Sequence, residues 1–434
     1  MAQSSNSVGQ GRKIFYGWWI VTICLLVLFV HSGCGFYSFG VLNKPLQAAF
    51  DTSRGAISGA VSLFMLMAGL VAPFVGRLTD NYGPKRILLF GGVIAGAALM
   101  LLSLANALWQ LYVLYSVIGI GLGSAGAVPI SVAISNWFTR RRGLAIGITM
   151  IGFALGALLV TLLTSYLIEA FSWRAAFLAM GILVWAFVIP PIALFMKTRP
   201  QDMGLLPDGD PPREVPLTPE SVKAAADPDP KAYTMATALR SPCLWLMMTA
   251  FFFAGLAIGG VLQHEHAFFT DTGVSAASAG IMLAVTGGTG GLGKFSFGFL
   301  SDKISPRIAA MICFSLQLVA VIVLIQITTT AMMWVFVLLF GFAMGGQVAL
   351  QPLVTIKFFG LPAFGSIFGV VALAASLGTA IGPILAGGIY DIVGSYRLAF
   401  ITFAAGYAVA ITALLLARQP KPVPATSRAE RELA

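Results

Sequence analysis

The chain is 434 residues long, 58% hydrophobic and only 10% charged, with a mean hydropathy of +0.90 and a formal net charge of +10. Soluble domains carry about 25% charged residues, so there is too little polar surface here to cover a water-soluble globule. Nor does the positive charge indicate nucleic acid, because the cations sit in short clusters between apolar runs, the pattern of loops at the anionic face of a membrane.

A membrane-spanning helix needs about 20 mostly apolar residues. Twelve such runs are predicted, at about 16–41, 56–76, 87–106, 109–135, 143–168, 173–196, 243–268, 276–299, 308–328, 331–356, 363–389 and 396–417. Arg12 and Lys13 precede the first, but that run far exceeds the roughly 7–15 residues of a signal-peptide core, so it reads as a spanning helix. Residues 197–241 are rich in Pro, Asp and Lys, with PDGDPPREVPLTPE and DPDP inside. Such a composition cannot build a packed core. The predicted fold is therefore an all-α membrane protein of two six-helix bundles. A segment 1–15 precedes the first bundle (16–196), a linker 197–241 joins it to the second (242–417), and a tail 418–434 follows. Cys24, Cys34, Cys243 and Cys313 lie in or beside apolar runs without metal-ligand spacing and are expected to be packing residues.

With twelve spans, 21 of the 26 Lys and Arg fall in segments on one side and four (Lys44, Arg54, Arg174, Arg397) on the other. The asymmetry predicts that both termini are cytoplasmic. The remaining cation, Lys294, lies inside a helix. The halves also repeat a loop: GRLTDNYGPKR at 76–86 follows helix 2, and GFLSDKISPR at 298–307 follows helix 8. Such repeats pack about a pseudo-twofold axis, with the substrate site between them near the midplane.

The first loop resembles the helix 2–3 signature of the major facilitator superfamily, matched by Gly76, Asp80, Gly83, Lys85 and Arg86, with Asn81 where a basic residue is usual. The second copy keeps Gly298, Asp302, Lys303 and Arg307, and Ser305 replaces the glycine. The glycines allow close helix approach, and the aspartates can accept hydrogen bonds from a helix N-terminus or an arginine. Such residues are expected to latch one conformation of a rocking carrier; the alternative is an ordinary positive-inside loop with a turn. WFTRRRGLAIGITMIG at 137–152 is similar to the helix 5 entry of monocarboxylate transporters, through Arg141, Arg142, Gly147 and Gly152 among others. FYGWWIV at 15–21 is similar to the start of helix 1 in that branch and in oxalate/formate antiporters, and its aromatics are expected at the membrane interface.

Lys294 is one turn or more inside helix 8. An ammonium at that depth normally faces a water-filled cavity; the alternative is a snorkelling stem that reaches the headgroups. Gly287, Gly290 and Gly291 share its face and leave room beside it. No Asp or Glu is predicted in the middle of a helix, so a substrate carboxylate is the natural counter-ion. The resemblance implies the same role, since those carriers place a substrate-pairing arginine at this position. Here Lys replaces Arg, Gly290 stands where proton-coupled relatives carry an aspartate, and Val371 stands where the oxalate carriers have a second cation. His31 in helix 1 is either a neutral residue bonded between helices or a cavity group that binds substrate or a proton. Gln347 and Gln351 either bind a carboxylate or bridge helices. Tyr37, Phe36 and Met344 are candidate cavity walls. His264, Glu265 and His266 are expected to be solvated at the outer end of helix 7, and the two histidines point to different sides, against a shared metal site.

The expected function is secondary active transport of a small organic anion, foremost a monocarboxylate, by alternating access across a bacterial-type inner membrane. Its partners are the bilayer, the anion and a coupling proton or counter-anion, with no cofactor and no nucleic acid. Two alternatives stay open: a carrier of another amphiphile such as a drug, with Lys294 structural, and a transporter-like metabolite sensor.

Overall fold

A computed structural model describes residues 15–210 and 233–419. Arg12, Lys13, the middle of the linker and most of the tail lie outside the described residues. Twelve long helices follow one another: α1 (Gly17–Phe50), α2 (Arg54–Tyr82), α3 (Pro84–Leu102), α4 (Leu108–Trp137), α5 (Arg142–Ala170), α6 (Trp173–Phe195), α7 (Pro242–Asp271), α8 (Ala276–Lys303), α9 (Pro306–Ile325), α10 (Thr330–Phe359), α11 (Phe364–Val393) and α12 (Arg397–Leu416). Among the described residues, eleven of these helices are long and apolar enough to cross a membrane. The other long helix is α8, where glycines, threonines and Lys294 dilute the apolar content. The longest departure from the predicted boundaries is α1, which runs on to Phe50 and takes Lys44 into a helix.

The helix starts follow local chemistry. Ser53, Ser172, Ser275 and Thr329 each accept a backbone N–H of the first turn of α2, α6, α8 and α10, satisfying a donor that the helix itself cannot. Proline opens α3, α7 and α9, where its missing N–H costs nothing. Gly83, between α2 and α3, sits at φ +81°, whereas Ser305, at the corresponding turn before α9, sits at φ −58°. The second copy of the loop therefore has no need of glycine there.

The packing repeats with the sequence. In the first half α1 lies on α5, α2 on α4 and α3 on α6; in the second, α7 lies on α11, α8 on α10 and α9 on α12. The halves meet chiefly through α2 with α11 and α5 with α8. Both contacts are close. A Cβ on Gly298 would lie 2.5 Å from the Gly143 carbonyl oxygen, and one on Gly147 would lie 2.9 Å from that of Lys294. All four cysteines are free and buried.

Two long helices are irregular. Residues Gly33–Tyr37 form a π turn within α1, an insertion frequent at functional sites. The helical run of α4 breaks at Ala125 and Gly126. The aromatics of 15–19 do not simply face lipid: Phe15 and Tyr16 pack on Trp137, and Trp18 on Phe138. Trp19 remains 57% exposed.

Candidate functional site

At the end where α1 begins, the two repeated aspartates reach across the molecule. Asp80, near the end of α2, accepts the backbone N–H groups of Gly365 (2.8 Å) and Ser366 (2.7 Å) and the Ser366 hydroxyl (2.6 Å) at the start of α11. Asp302, near the end of α8, accepts the N–H groups of Gly143 (2.6 Å) and Leu144 (2.8 Å) at the start of α5. Each carboxylate thus meets unpaired N–H donors at the positive end of a helix dipole. Gly76 and Gly298 supply the close approach, since a Cβ on either would run into the backbone of the opposite half. The bundles are held together at this end.

The basic residues of the loops have separate tasks. Lys85 donates to the Ala193 carbonyl at the end of α6 (2.8 Å), and Arg307 donates to Leu414 and Leu415 at the end of α12 (2.8 and 2.6 Å). Arg142 closes the end of α4 through the Phe138 and Ser135 carbonyls. Arg86 and Arg141 form no hydrogen bond or ion pair among the described residues. Asp208, from the start of the linker, accepts the N–H groups of Thr139 and Arg140 just before α5. A groove of about 760 Å³ opens here beside Asp80, Asn136, Thr139, Arg199 and Leu361, away from Lys294.

Lys294 lies nine residues from the end of α8 and Phe153 eleven from the start of α5. At 1.5 Å per residue that is roughly 14–17 Å inside the ends of helices about 42 Å long, so both groups lie well within a hydrocarbon core about 30 Å thick. The Lys294 ammonium lies 4.7 Å from the centre of the Phe153 ring. Around that ring stand Phe36 (5.9 Å), Tyr37 (6.1 Å) and His31 (6.3 Å). The structure therefore brings Lys294, His31, Phe36 and Tyr37 to one place, between the halves. The π turn carries Phe36 and Tyr37 there, and His31 is buried beside the α4 break, with a Cβ on Gly126 only 3.3 Å from its Cε1. Its Nδ1 has no hydrogen-bond partner among the described residues. Phe153 was not among the sequence candidates, because an aromatic on an apolar helix gives no signal of its own.

The remaining candidates separate. Gly287 has nothing within 4 Å of a built Cβ, and the nearest atom to one on Gly291 is Ala154 of α5, at 3.7 Å. Gly290 instead packs against Gly341 and Met344 of α10. Gln347 accepts from Gln317 (3.3 Å), which also donates to Ala343 and receives the Tyr407 hydroxyl. Gln351 donates to the Val371 carbonyl (3.3 Å). Both glutamines bridge helices of the second bundle.

The expectation of a solvated His-Glu-His run needs correction. Glu265 is fully buried, with Thr286 of α8 donating to its Oε1 (2.7 Å) and no partner for Oε2 among the described residues. A carboxyl group therefore does stand inside a helix, but it faces Thr286 and makes no ion pair among the described residues. His264 lies between the Tyr396 hydroxyl (3.1 Å) and the Pro383 carbonyl (3.0 Å). The charge pattern concealed this, because α7 extends to Asp271 and Glu265 turns inward toward α8.

The family model of the Major Facilitator Superfamily matches residues 24–269 and 264–434. The chain is 26% identical to monocarboxylate transporter 12 of Rattus norvegicus over 430 residues, covering 94% of this chain and 85% of that protein. It is 25% identical to the oxalate:formate antiporter of Oxalobacter formigenes, with 88% of each covered. Among solved structures, the fucose:proton symporter of E. coli aligns with a TM-score of 0.69 at 14% identity, over 94% of this chain and all of that one. Human organic anion transporter MFSD10 aligns with a TM-score of 0.65 at 16% identity, over 92% and 99%.

Proposed function

The chain belongs to the Major Facilitator Superfamily, and on that footing we propose that it carries a small organic anion, foremost a monocarboxylate, with Lys294 as the group that pairs with the carboxylate. The observation that carries this reading is the ammonium well inside the helices between the halves, with a π face for company and no carboxylate partner among the described residues. An intramembrane cation without a protein counter-ion is costly, and a substrate carboxylate supplies one. His31, Tyr37 and Phe36 form the wall around it. The likeness to a monocarboxylate transporter and an oxalate:formate antiporter supports the same substrate class. A single cation suits one carboxylate better than two.

In this reading Asp80 and Asp302 latch the conformation described here, and their release lets the halves rock. Substrate shifts that equilibrium only through a difference in affinity between the two states. The membrane is a bacterial-type inner membrane, with both termini cytoplasmic, and a proton or counter-anion completes the cycle.

The test is ligand-dependent thermal stabilisation of the purified protein by acetate, lactate and pyruvate, with dicarboxylates, sugars and cationic drugs alongside. A monocarboxylate is expected to stabilise the wild type, and Lys294→Gln is expected to remain folded and lose the response. Equal stabilisation of both by neutral or cationic ligands overturns the reading.

A further inference from the structure

A carrier that returns empty must bring its binding site through the midplane without cargo. For most intramembrane cations that step is costly, because the charge loses its partner when the substrate leaves. Lys294 has a substitute. The Phe153 ring presents its negative π face to the ammonium at 4.7 Å, in the range where the attraction is real and grows with desolvation. The ring belongs to α5 of the first half and the ammonium to α8 of the second. The contact therefore spans the two moving bodies. Phe36, Tyr37 and His31 pack around the ring within 6.3 Å, so Phe153 is held in place from its own half.

Among the described residues no carboxylate pairs with the charge. The ion pairs among the described residues join Arg140 to Asp208 and Asp210 at the end where α1 begins, outside the helices, and Glu265 is engaged by Thr286. Along α8, a Cβ on Gly287 would meet nothing within 4 Å, and one on Gly291 would only touch Ala154 at 3.7 Å, so neither position crowds the helix face. The site thus has two alternative partners for one cation: a carboxylate when loaded, an aromatic face when empty.

We propose that Phe153 is a positioning residue that holds Lys294 in the unloaded carrier, allowing it to reorient empty and to sustain net transport as well as exchange. This rests on the anion-carrier reading above. Phe153→Leu removes the π face and keeps an apolar side chain; the unloaded carrier then has an ammonium with no partner. Loaded carrier, whose ammonium is paired by substrate, reorients as before.

The experiment compares, in proteoliposomes, net efflux of radiolabelled lactate into lactate-free buffer with its exchange against lactate outside. In Phe153→Leu net efflux is expected to fall roughly tenfold relative to exchange, the loss of a desolvated cation–π contact. Phe153→Tyr and Phe153→Trp are expected to restore the ratio. If efflux and exchange fall together, or neither changes, this inference fails while the substrate class stands. If wild type moves no lactate, acetate or pyruvate at all, the anion reading fails and takes the inference with it. A ligand-free check is a double-mutant cycle of Phe153→Leu with Lys294→Met on thermal stability. Additive effects of the two substitutions overturn the contact itself.

Discussion

Ser366 gives both its backbone N–H and its hydroxyl to one carboxylate oxygen of Asp80, a residue 286 positions earlier in the chain. Asp302 likewise crosses between the halves, taking the N–H of Gly143 on one oxygen and that of Leu144 on the other. Two bundles that are separate in sequence are thereby joined by bonds that form only when the helix ends are a few ångströms apart. Such bonds switch off with small displacements, as a latch requires.

Asp80→Asn removes the charge and leaves one acceptor oxygen. Hydrogen bonds to charged groups contribute about 1.5–3 kcal/mol, so either Asp80→Asn or Asp302→Asn is expected to shift the conformational equilibrium toward opening at this end by roughly tenfold or more. Spin labels at Tyr82 and Leu361, exposed on opposite halves, report the shift as a longer distance population. An unchanged distance distribution in the double variant shows that these bonds do not set the equilibrium.

The glycines of α8 are not equivalent. Gly298→Ala places a methyl 2.5 Å from the Gly143 carbonyl oxygen, whereas Gly287→Ala meets nothing within 4 Å. Overpacking costs about 1–3 kcal/mol, so Gly298→Ala is expected to lower the melting temperature or to open the α5–α8 contact. Gly287→Ala is expected to leave stability unchanged or to raise it by about 1 kcal/mol through helix propensity. Equal melting temperatures for the two variants contradict the packing described.

Asp208 combines two costs in one residue. It adopts φ +60°, and its side chain, only 5% exposed, accepts the Thr139 and Arg140 N–H groups. Asp208→Asn keeps both the acceptor and a residue type that tolerates this backbone. Asp208→Ala keeps neither and is expected to cost about 2–4 kcal/mol, with Asp208→Gly between them. The order of thermal stabilities, Asn above Gly above Ala, checks the assignment.

Glu265 stands apart from the proposed site, so Glu265→Gln is expected to fold as well as wild type and to keep its ligand response. The amide preserves the bond with Thr286 and removes a charge that is costly to bury. Glu265→Ala opens a cavity and is expected to cost about 2–5 kcal/mol. Loss of transport in a stable Glu265→Gln variant gives this residue a part in the cycle.

The helices, the two halves and the repeated loop were legible because hydropathy and charge act over long windows. Positive residues cluster at helix ends, and a duplicated GxxxD loop stands out against apolar sequence. Lys294 was legible for the same reason, as a lone cation in an apolar run. Phe153 and the burial of Glu265 were not. An aromatic becomes a partner only once folding sets a cation against it, and a carboxyl near a helix end looks solvated until α8 packs over it. The bridging by Gln347 and Gln351 depended likewise on where Gln317 and Val371 come to lie. Ser305 in place of glycine is explained by a single dihedral angle.

Lys85 and Arg307 do for each half what the aspartates do between halves, tying the first turn of α3 to the end of α6 and that of α9 to the end of α12. The difference is one of permanence. These cations secure helices that stay together, so each six-helix unit is closed by its own clasp whichever way the transporter faces. Moving one unit against the other leaves both clasps made, while the bonds of Asp80 and Asp302 must part.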